Sequence, residues 1–124
     1  MMKQHVTFVN PPSPGGAVGH LPFALVGLGY LAAVLENNNY EVDVIDCQAL
    51  KLTIEQAKEE LSKRQPTIVG ITSTTLTYKN AQQIAKAAKQ ALPNSITIIG
   101  GPHVTFWDQQ ALQENPQLNR VVQA

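Results

Sequence analysis

A run of hydroxyl side chains follows an apolar, β-branched segment near the middle of the chain. Five such residues occupy six consecutive positions: Thr72, Ser73, Thr74, Thr75 and Thr77. Because a hydroxyl group both donates and accepts hydrogen bonds, it can satisfy amide or phosphate groups without adding charge. Capping the helix that follows would require only one or two of these groups. The surplus favours a polar ligand at this position, and helix capping by itself is the simpler alternative.

Two other segments have a composition suited to the close approach of a ligand. Residues 10–20, NPPSPGGAVGH, hold three prolines and three glycines, and this segment is long for a connection between two elements. Gly100 and Gly101 precede a proline in the segment GGPHV. Proline stiffens a loop, and glycine lets the backbone approach a bound group. A ligand role for these loops competes with two plainer interpretations, an ordinary connection and a tight turn.

The sequence contains no recognisable catalytic set of residues and no metal-binding motif. Its histidines, His5, His20 and His103, share no ligand spacing, and Cys47 is the single cysteine. Neither a P-loop nor a G-x-G-x-x-G dinucleotide loop is present. Cys47 is therefore predicted to be a buried structural thiol. Because a single cysteine cannot form an internal disulfide, the sequence fits a reducing compartment such as the cytoplasm.

The elements that must position these loops alternate between strand and helix. Amphipathic helical patterns separate five apolar runs, and one helix opens with a capping box formed by Thr53 and Gln56. The predicted strands are His5–Val9, Glu41–Asp46, Thr67–Thr72, Ser95–Gly100 and Arg120–Gln123. The third and fourth are apolar on both faces, as strands covered on both sides should be.

This alternation predicts an α/β fold with right-handed crossovers. The expected architecture is a flavodoxin-like (Rossmann-like) doubly wound five-stranded parallel sheet of order 2-1-3-4-5, with helices on both faces. In that order the ligand crevice lies at the carboxyl ends of strands one and three, where the winding reverses.

The whole chain fits a single domain, residues 1–124, with a formal net charge of zero. Zero net charge argues against nucleic acid or an anionic membrane surface as a partner, because either would require a basic patch. The longest apolar run, Leu21–Leu35, is too short to span a bilayer and is interpreted as a buried helix. Since it is apolar nearly all round, another domain, a second copy, a ligand or a neighbouring loop is expected to cover it.

Four segments together resemble the cobalamin (vitamin B12) binding domain at the N-terminus of cobalamin-dependent radical S-adenosylmethionine enzymes. They are NPPSPGG (residues 10–16), LGYLAAVLENNNYEVDVID (28–46), PTIVGITSTTLTY (66–78) and IIGGPHVT (98–105). That group includes methyltransferases and the anaerobic magnesium-protoporphyrin monomethyl ester cyclases. The resemblance implies cobalamin as the cofactor. It implies these cofactor-binding residues: Pro12, Ser13, Gly15, Gly16, Thr72, Ser73, Thr74, Thr75, Leu76, Tyr78, Gly100, Gly101, Pro102 and His103.

The resemblance also bears on how cobalt would be held. Cobalamin domains of the methionine-synthase and mutase type carry D-x-H-x-x-G, then S-x-L, then G-G, and their histidine ligates cobalt from below. The first motif would fall on Pro22–Gly27, which puts Ala24 at the histidine position. S-x-L would fall on Thr72–Thr74, and Gly100 and Gly101 match G-G. Since alanine cannot coordinate cobalt, the resemblance implies a base-off cofactor whose nucleotide tail passes the two glycines.

Enzymes of this group carry the iron–sulfur motif C-x-x-x-C-x-x-C in a following barrel domain. A chain with one cysteine cannot hold that 4Fe-4S cluster. The resemblance therefore implies the N-terminal part of a longer radical S-adenosylmethionine protein, which is not catalytic alone. The C-terminal domain would bind the cluster and S-adenosylmethionine, and would use the corrin for methyl transfer or related radical chemistry.

Two other functions stay open at this point. A flavodoxin-like module could bind FMN or a nucleotide, because hydroxyl-rich loops suit phosphate. Flavin sites usually stack aromatic rings, however, and the crevice loops offer only Tyr78, Phe106 and Trp107. A cofactor-free protein-interaction domain, self-associating through Leu21–Leu35, could also keep this fold.

Overall fold

The computed structural model describes residues 4–13, 32–74, 76–100 and 120–122, the last three by their backbone. The strands are β1 (His5–Asn10), β2 (Glu41–Asp46), β3 (Ile68–Thr72), β4 (Ile96–Gly100) and β5 (Arg120–Val122). The helices are α1, described over 32–37, α2 (Ile54–Arg64) and α3 (Tyr78–Ala91). Strand and helix thus alternate from β1 to β4, as the apolar periodicity predicts.

The strands form one parallel sheet. Four strands of five or six residues make up its body in the order β2-β1-β3-β4, and the short β5 pairs in parallel with β4. The predicted α/β class, the parallel pairing and the order of the first four strands are confirmed. The predicted fifth strand, Arg120–Gln123, is present as the short three-residue strand Arg120–Val122 at the edge of the sheet.

The core lies between one face of the sheet and helices α2 and α3. Apolar residues that alternate along the strands point to this face, because side chains of a strand alternate between faces. The buried cluster includes Val9, Ile45, Val69, Ile71 and Ile99 from the strands and Leu61, Ile84, Ala85 and Ala88 from the helices. The apolar stripe predicted on the helix after strand three is confirmed.

The opposite face of the sheet is less completely covered. Ile68 and Ile98 are half-buried, whereas Val44 and Ile96 are 36% and 44% exposed. The expectation that strand four is covered on both faces is wrong at Ile96, which is the first residue of its strand and lies at the rim of the sheet. The two helices that contact each other, α2 and α3, share the core face. Helices on both faces therefore stay a prediction.

Local signals set the ends of the elements. Thr53 and Gln56 form the predicted capping box at the start of α2, with bonds of 3.2 Å and 2.9 Å. That helix ends at Gln65, which is left-handed with φ 51° and donates its backbone N–H to Leu61. Asn39, after α1, is also left-handed with φ 67°. Among the described helices none is both long and apolar enough to cross a membrane.

Candidate cofactor-binding site

The carboxyl ends of the three central strands lie side by side. Thr72 pairs with Gly100 in the sheet register, and the Thr72 hydroxyl lies 3.3 Å from the side-chain oxygen of Asn10 at the end of β1. Just beyond the strands, the Ser73 backbone N–H donates to the Gly100 carbonyl at 2.7 Å. The loops that leave β1 and β3 therefore start next to each other and next to the end of β4. This adjacency, predicted from the topology, is the frame of the candidate site.

The first loop is held by side-chain amides from both flanks. Gln48, which follows β2, donates to the Pro11 carbonyl at 3.1 Å. Asn80, in the first turn of α3, donates to the Pro12 carbonyl at 2.7 Å. Pro11 is buried, whereas Pro12 and Ser13 are half-buried. The predicted site residues Pro12 and Ser13 thus lie at the edge where strands β1 and β3 end.

The hydroxyl residues after β3 are partly used to shape their own loop. Thr74 and Thr77 form a reciprocal pair, because each hydroxyl accepts from the other residue's backbone N–H, at 3.0 Å and 3.3 Å. The two hydroxyl oxygens lie 3.1 Å apart. Thr77 is the residue before α3 but makes no side-chain cap bond to that helix. The plainer interpretation, capping of α3, is therefore not how this hydroxyl is used.

The remaining hydrogen-bonding capacity differs between these hydroxyls. Ser73 and Thr77 are 1% and 3% exposed, whereas Thr72 and Thr74 are half-buried. The Thr72 hydroxyl donates within the protein, to the Val9 carbonyl at 3.5 Å and to the Asn10 side-chain oxygen. Towards a ligand it can therefore act only as a hydrogen-bond acceptor. Within the reciprocal pair one hydroxyl hydrogen is shared. If Thr77 donates it, the hydroxyl hydrogen of Thr74 is available to a ligand.

Two larger side chains of the same loop have different surroundings. Leu76 is 57% exposed, which is a high fraction for a leucine beside a row of hydroxyls. Tyr78 is half-buried and packs against the core cluster beneath α3. The predicted contact of Tyr78 with a ligand therefore competes with its packing in the core.

Among the described residues near this edge, potential cobalt or metal ligands are scarce. Among the described residues no cluster of three His, Cys, Asp or Glu side chains could hold a metal ion. His5 lies at the opposite, amino end of β1, where its Nε2 is 3.1 Å from an Asp43 carboxylate oxygen. Cys47 is buried, and that burial, with the adjacent Asp46 carboxylate, raises the pKa of its thiol to about 12. The thiol is therefore protonated at neutral pH and is a poor ligand.

Several predicted site residues lie outside the described part of the chain. These are Gly15, Gly16, Thr75, Gly101, Pro102 and His103. The segment Pro22–Gly27, with Ala24 at the position of the axial histidine, lies outside it too. So do His20, Phe106 and Trp107, and of the apolar run Leu21–Leu35 the structure describes only residues 32–35.

Four polar residues at this edge were not predicted to belong to the site. Asn10 and Asp46 end neighbouring strands and pair through a bond of 3.0 Å. Gln48 and Asn80 reach the first loop as described above. The signal for Asn10 and Asp46 is a polar residue at the carboxyl end of an otherwise apolar strand. No pattern in the sequence marks Gln48 or Asn80, because their partners are distant along the chain.

The fold and the edge define a class of α/β domain that binds a ligand at the carboxyl ends of its parallel strands. A sequence profile of the B12-binding domain family matches residues 17–123 of the chain. The chain therefore belongs to the B12-binding domain family. The resemblance noted from its motifs is confirmed, and cobalamin is the cofactor that this family is named for.

Two relatives illustrate the groups that carry this domain. The chain is 38% identical over 97 residues to an uncharacterized methyltransferase, PH0819, of Pyrococcus horikoshii. It is 34% identical over 121 residues to the anaerobic magnesium-protoporphyrin IX monomethyl ester cyclase of Rubrivivax gelatinosus. The matches cover 78% and 94% of this chain, respectively, and 21% of each relative. The chain thus spans about a fifth of the length of these curated relatives.

A solved structure supports the same fold. The cobalamin-dependent S-adenosylmethionine radical enzyme OxsB, with aqua-cobalamin and S-adenosylmethionine bound, superimposes with a TM-score of 0.74. The alignment has 24% identity and covers 94% of this chain and 16% of that one. At this identity the likeness establishes the fold of the domain.

The described residues at the edge suit the chemistry of a corrin. A corrin is a broad apolar ring whose rim carries amide side chains, so its site must combine apolar surface with hydrogen-bonding groups. The exposed Leu76 supplies apolar surface directly beside the half-buried hydroxyls of Thr72 and Thr74. Thr72 can accept from an amide N–H, and Thr74 can donate to an amide oxygen or a phosphate. The described residues of this edge therefore offer both kinds of contact.

Proposed function

We propose that the chain is a cobalamin-binding module that holds its cofactor base-off, without an axial histidine. The observation that carries the proposal is the meeting of Thr72, Thr74 and Gly100 at one edge of a B12-binding fold. When bound, cobalamin supplies a cobalt centre able to carry a methyl group. The residues of this chain bind and orient the corrin at the carboxyl edge of the sheet.

The base-off state is supported by the placement of the ionisable side chains. His5 contacts Asp43 at the amino edge, on the far side of the sheet from the loops. Cys47 keeps its proton at neutral pH because its thiol pKa is raised. Ala24 stands where the resemblance would require the ligating histidine. Leu76, which is 57% exposed, would offer the corrin an apolar contact.

The cofactor residues divide by role in this proposal. Thr72 and Thr74 bond the corrin amides, whereas Gly100 and Gly101 leave room for the nucleotide tail. The set expected around the cofactor also includes Pro12, Ser13, Gly15, Gly16, Ser73, Thr75, Leu76, Tyr78, Pro102 and His103. Nothing in the described part of the chain favours FMN over cobalamin, because the one described aromatic side chain of the loops, Tyr78, packs against the core cluster.

The module is proposed to serve a radical S-adenosylmethionine catalytic domain, which would follow it in a longer protein. The relatives support this idea, since the aligned domain makes up about a fifth of a methyltransferase and of a cyclase. Self-association through Leu21–Leu35 is the other way to cover that apolar run. The buried, unpaired Cys47 agrees with a cytoplasmic location.

The first experiment tests cofactor uptake and the axial ligand together. The purified chain is mixed with hydroxocobalamin in the dark and desalted, and its visible spectrum is recorded from acid to neutral pH. Retained corrin with a base-off spectrum at neutral pH is the expected result. A retained spectrum of a base-on or histidine-ligated corrin would contradict the missing axial histidine.

A matched sample keeps the uptake result interpretable. Hydroxocobalamin carried through the same column with a heat-unfolded aliquot of the chain measures unspecific carry-over. Corrin retained by the folded chain no better than by that aliquot would count against the cobalamin function itself. A yellow protein with a flavin spectrum would point to the FMN alternative.

A further inference from the structure

We infer that Asn80 and Gln48 are positioning residues, which hold the first loop of the site in place before the cofactor arrives. The inference rests on the proposed cobalamin function and adds a role for two side chains that need not touch the cofactor. The observation behind it is that side chains from two different elements bond successive carbonyls of one loop.

The two prolines at the start of the loop cannot donate hydrogen bonds from their backbone. Pro11 and Pro12 have no backbone N–H, so their only backbone hydrogen-bonding groups are carbonyl oxygens. Both carbonyls accept from side-chain amides, Pro11 from Gln48 at 3.1 Å and Pro12 from Asn80 at 2.7 Å. The observed donors to both carbonyls come from outside the loop and from both sides of β1.

Asn10 connects the two sides of this arrangement. Its side-chain oxygen accepts from Thr72 at 3.3 Å and from Gln48 at 3.4 Å, while its amide donates to Asp46 at 3.0 Å. Asn10 is 2% exposed, so these bonds are shielded from water. Because β1 lies between β2 and β3, one buried amide ties the end of each neighbouring strand to the start of the loop.

Asp46 fixes the position of Gln48 in turn. One oxygen of its carboxylate accepts from the backbone N–H groups of Gln48 and Ala49, each at 3.1 Å, and so closes the turn after β2. Gln48 therefore starts from an ordered backbone when its side chain reaches Pro11. The chain of bonds runs from β2 through Gln48 to the loop, and from the loop through Asn80 to α3.

Holding a loop in its bound position improves affinity because less conformational freedom is lost on binding. Pro12 carries one of the two bonded carbonyls and Ser13 follows it directly, and both belong to the residues expected at the cofactor. Asn80 also ties this loop to α3, which begins at the end of the hydroxyl-rich segment. The two bonds, from Gln48 to Pro11 and from Asn80 to Pro12, are called the clamp below. The clamp sets the distance between the two loops that the corrin must contact.

The test compares two amide-to-carboxylate changes on the same helix. Asn80→Asp keeps the shape of the side chain but turns the N–H donor that faces the Pro12 carbonyl into an oxygen. Gln83→Glu makes the same chemical change at an exposed position of α3 and serves as the control. An acidic residue in the first turn of a helix is favourable, so Asn80→Asp is not expected to weaken α3 itself.

Affinity for hydroxocobalamin is measured by spectral titration, and the melting temperature of each ligand-free variant is recorded. Asn80→Asp is expected to raise Kd about tenfold at pH 7.5, as loss of one well-placed hydrogen bond would. Gln83→Glu is expected to match the wild type. Because a protonated carboxyl regains a donor, the Kd gap for Asn80→Asp should narrow as the pH is lowered towards about 4, where an aspartate carboxyl takes up its proton.

The possible results separate this inference from the function on which it rests. Wild-type uptake with equal Kd for Asn80→Asp and Gln83→Glu would overturn the positioning role alone. Loss of affinity matched by a large fall in melting temperature would assign Asn80 to overall stability and also overturn it. If the wild-type chain takes up no corrin, the proposed function fails, and the role of Asn80 fails with it.

A second variant tests the other arm of the clamp. Gln48→Glu removes the donor to Pro11 and is expected to raise Kd about as much as Asn80→Asp does. Affinity unchanged by Gln48→Glu would limit the positioning role to Asn80 and would overturn the two-sided clamp.

Discussion

The hydroxyl side chains at and after the end of β3 make different contacts although their residue types are nearly the same. Thr77 and Ser73 are buried and bond within their own loop. Thr72 and Thr74 are half-buried and keep capacity for a ligand. Burial rather than residue type decides the difference, because only a hydroxyl that reaches the surface can exchange water for a cofactor.

Cys47 provides a test of burial beside the site. Burial and then the Asp46 carboxylate raise its thiol pKa from 9.0 to about 12. Between these values the unfolded chain loses the thiol proton while the folded chain keeps it. The thiol's contribution to stability is therefore fully present below pH 9 and is lost as the pH rises towards 12, by up to about 1.4 kcal/mol per pH unit.

Urea unfolding of the wild type and of Cys47→Ala between pH 8 and 10.5 would measure this contribution. The difference in the free energy of unfolding is expected to shrink as the pH rises, since alanine has no proton to lose. A difference that stays constant over this range would mean that the thiol is not shielded from ionisation. Hydroxocobalamin uptake is expected to be the same for both proteins, because the thiol is not a cobalt ligand.

At the level of elements, β1 and β3 approach each other at a position where one side chain is missing. Phe8 pairs with Gly70 in the sheet register, and its ring covers the glycine. A Cβ atom on Gly70 would lie 2.8 Å from the ring's Cδ1 and 2.9 Å from its Cε1. Glycine is therefore required here by a close approach across the two central strands, on the face opposite α2 and α3.

Gly70→Ala should destabilise the domain by about 1–3 kcal/mol, because the aromatic ring must shift to admit the methyl group. Thermal or urea unfolding of the variant measures this effect. The double variant Phe8→Leu with Gly70→Ala should recover part of the loss, since a smaller side chain leaves room. Additive losses in the double variant would contradict steric conflict between these two residues.

At the level of the whole molecule, the candidate site exists only where three strand ends come together. Asn10, Thr72 and Gly100 belong to different strands, and the sheet order alone makes them neighbours. Gly100 is half-buried and is expected to leave space for the nucleotide tail of cobalamin. A bulky side chain there would fill that space without removing a hydrogen-bonding group.

Gly100→Leu is accordingly expected to raise the Kd for hydroxocobalamin at least about tenfold, because the leucine side chain would occupy the space that the nucleotide tail needs. Ser62→Leu, which adds the same side chain to an exposed position of α2, is the control. Melting temperatures show whether either variant disturbs the fold. Equal uptake by Gly100→Leu and the wild type would remove the assignment of Gly100 to the tail slot.

Much of this architecture could be predicted from local patterns. The alternation of apolar runs, the capping box at Thr53 and the left-handed Asn39 depend on residues a few positions apart. The parallel sheet follows from that alternation, and the meeting of the loops follows from the sheet. The extent of the last strand could not be predicted, because a four-residue run with two valines does not determine how far pairing extends. The exposure of Ile96 was missed because a run of apolar residues does not reveal which one lies at a rim.

The sequence alone determined the fold class, the order of the central strands, the family of the chain and the hydroxyl-rich edge, because these depend on periodicity and on short motifs. Only the tertiary structure decided which hydroxyls face outwards and which amides hold the first loop. Asn80 and Pro12 are 68 positions apart, and Asn10 and Asp46 are 36 apart. A hydrogen bond between such residues needs an approach to about 3 Å, which the folded sheet and its helices create and no local pattern encodes.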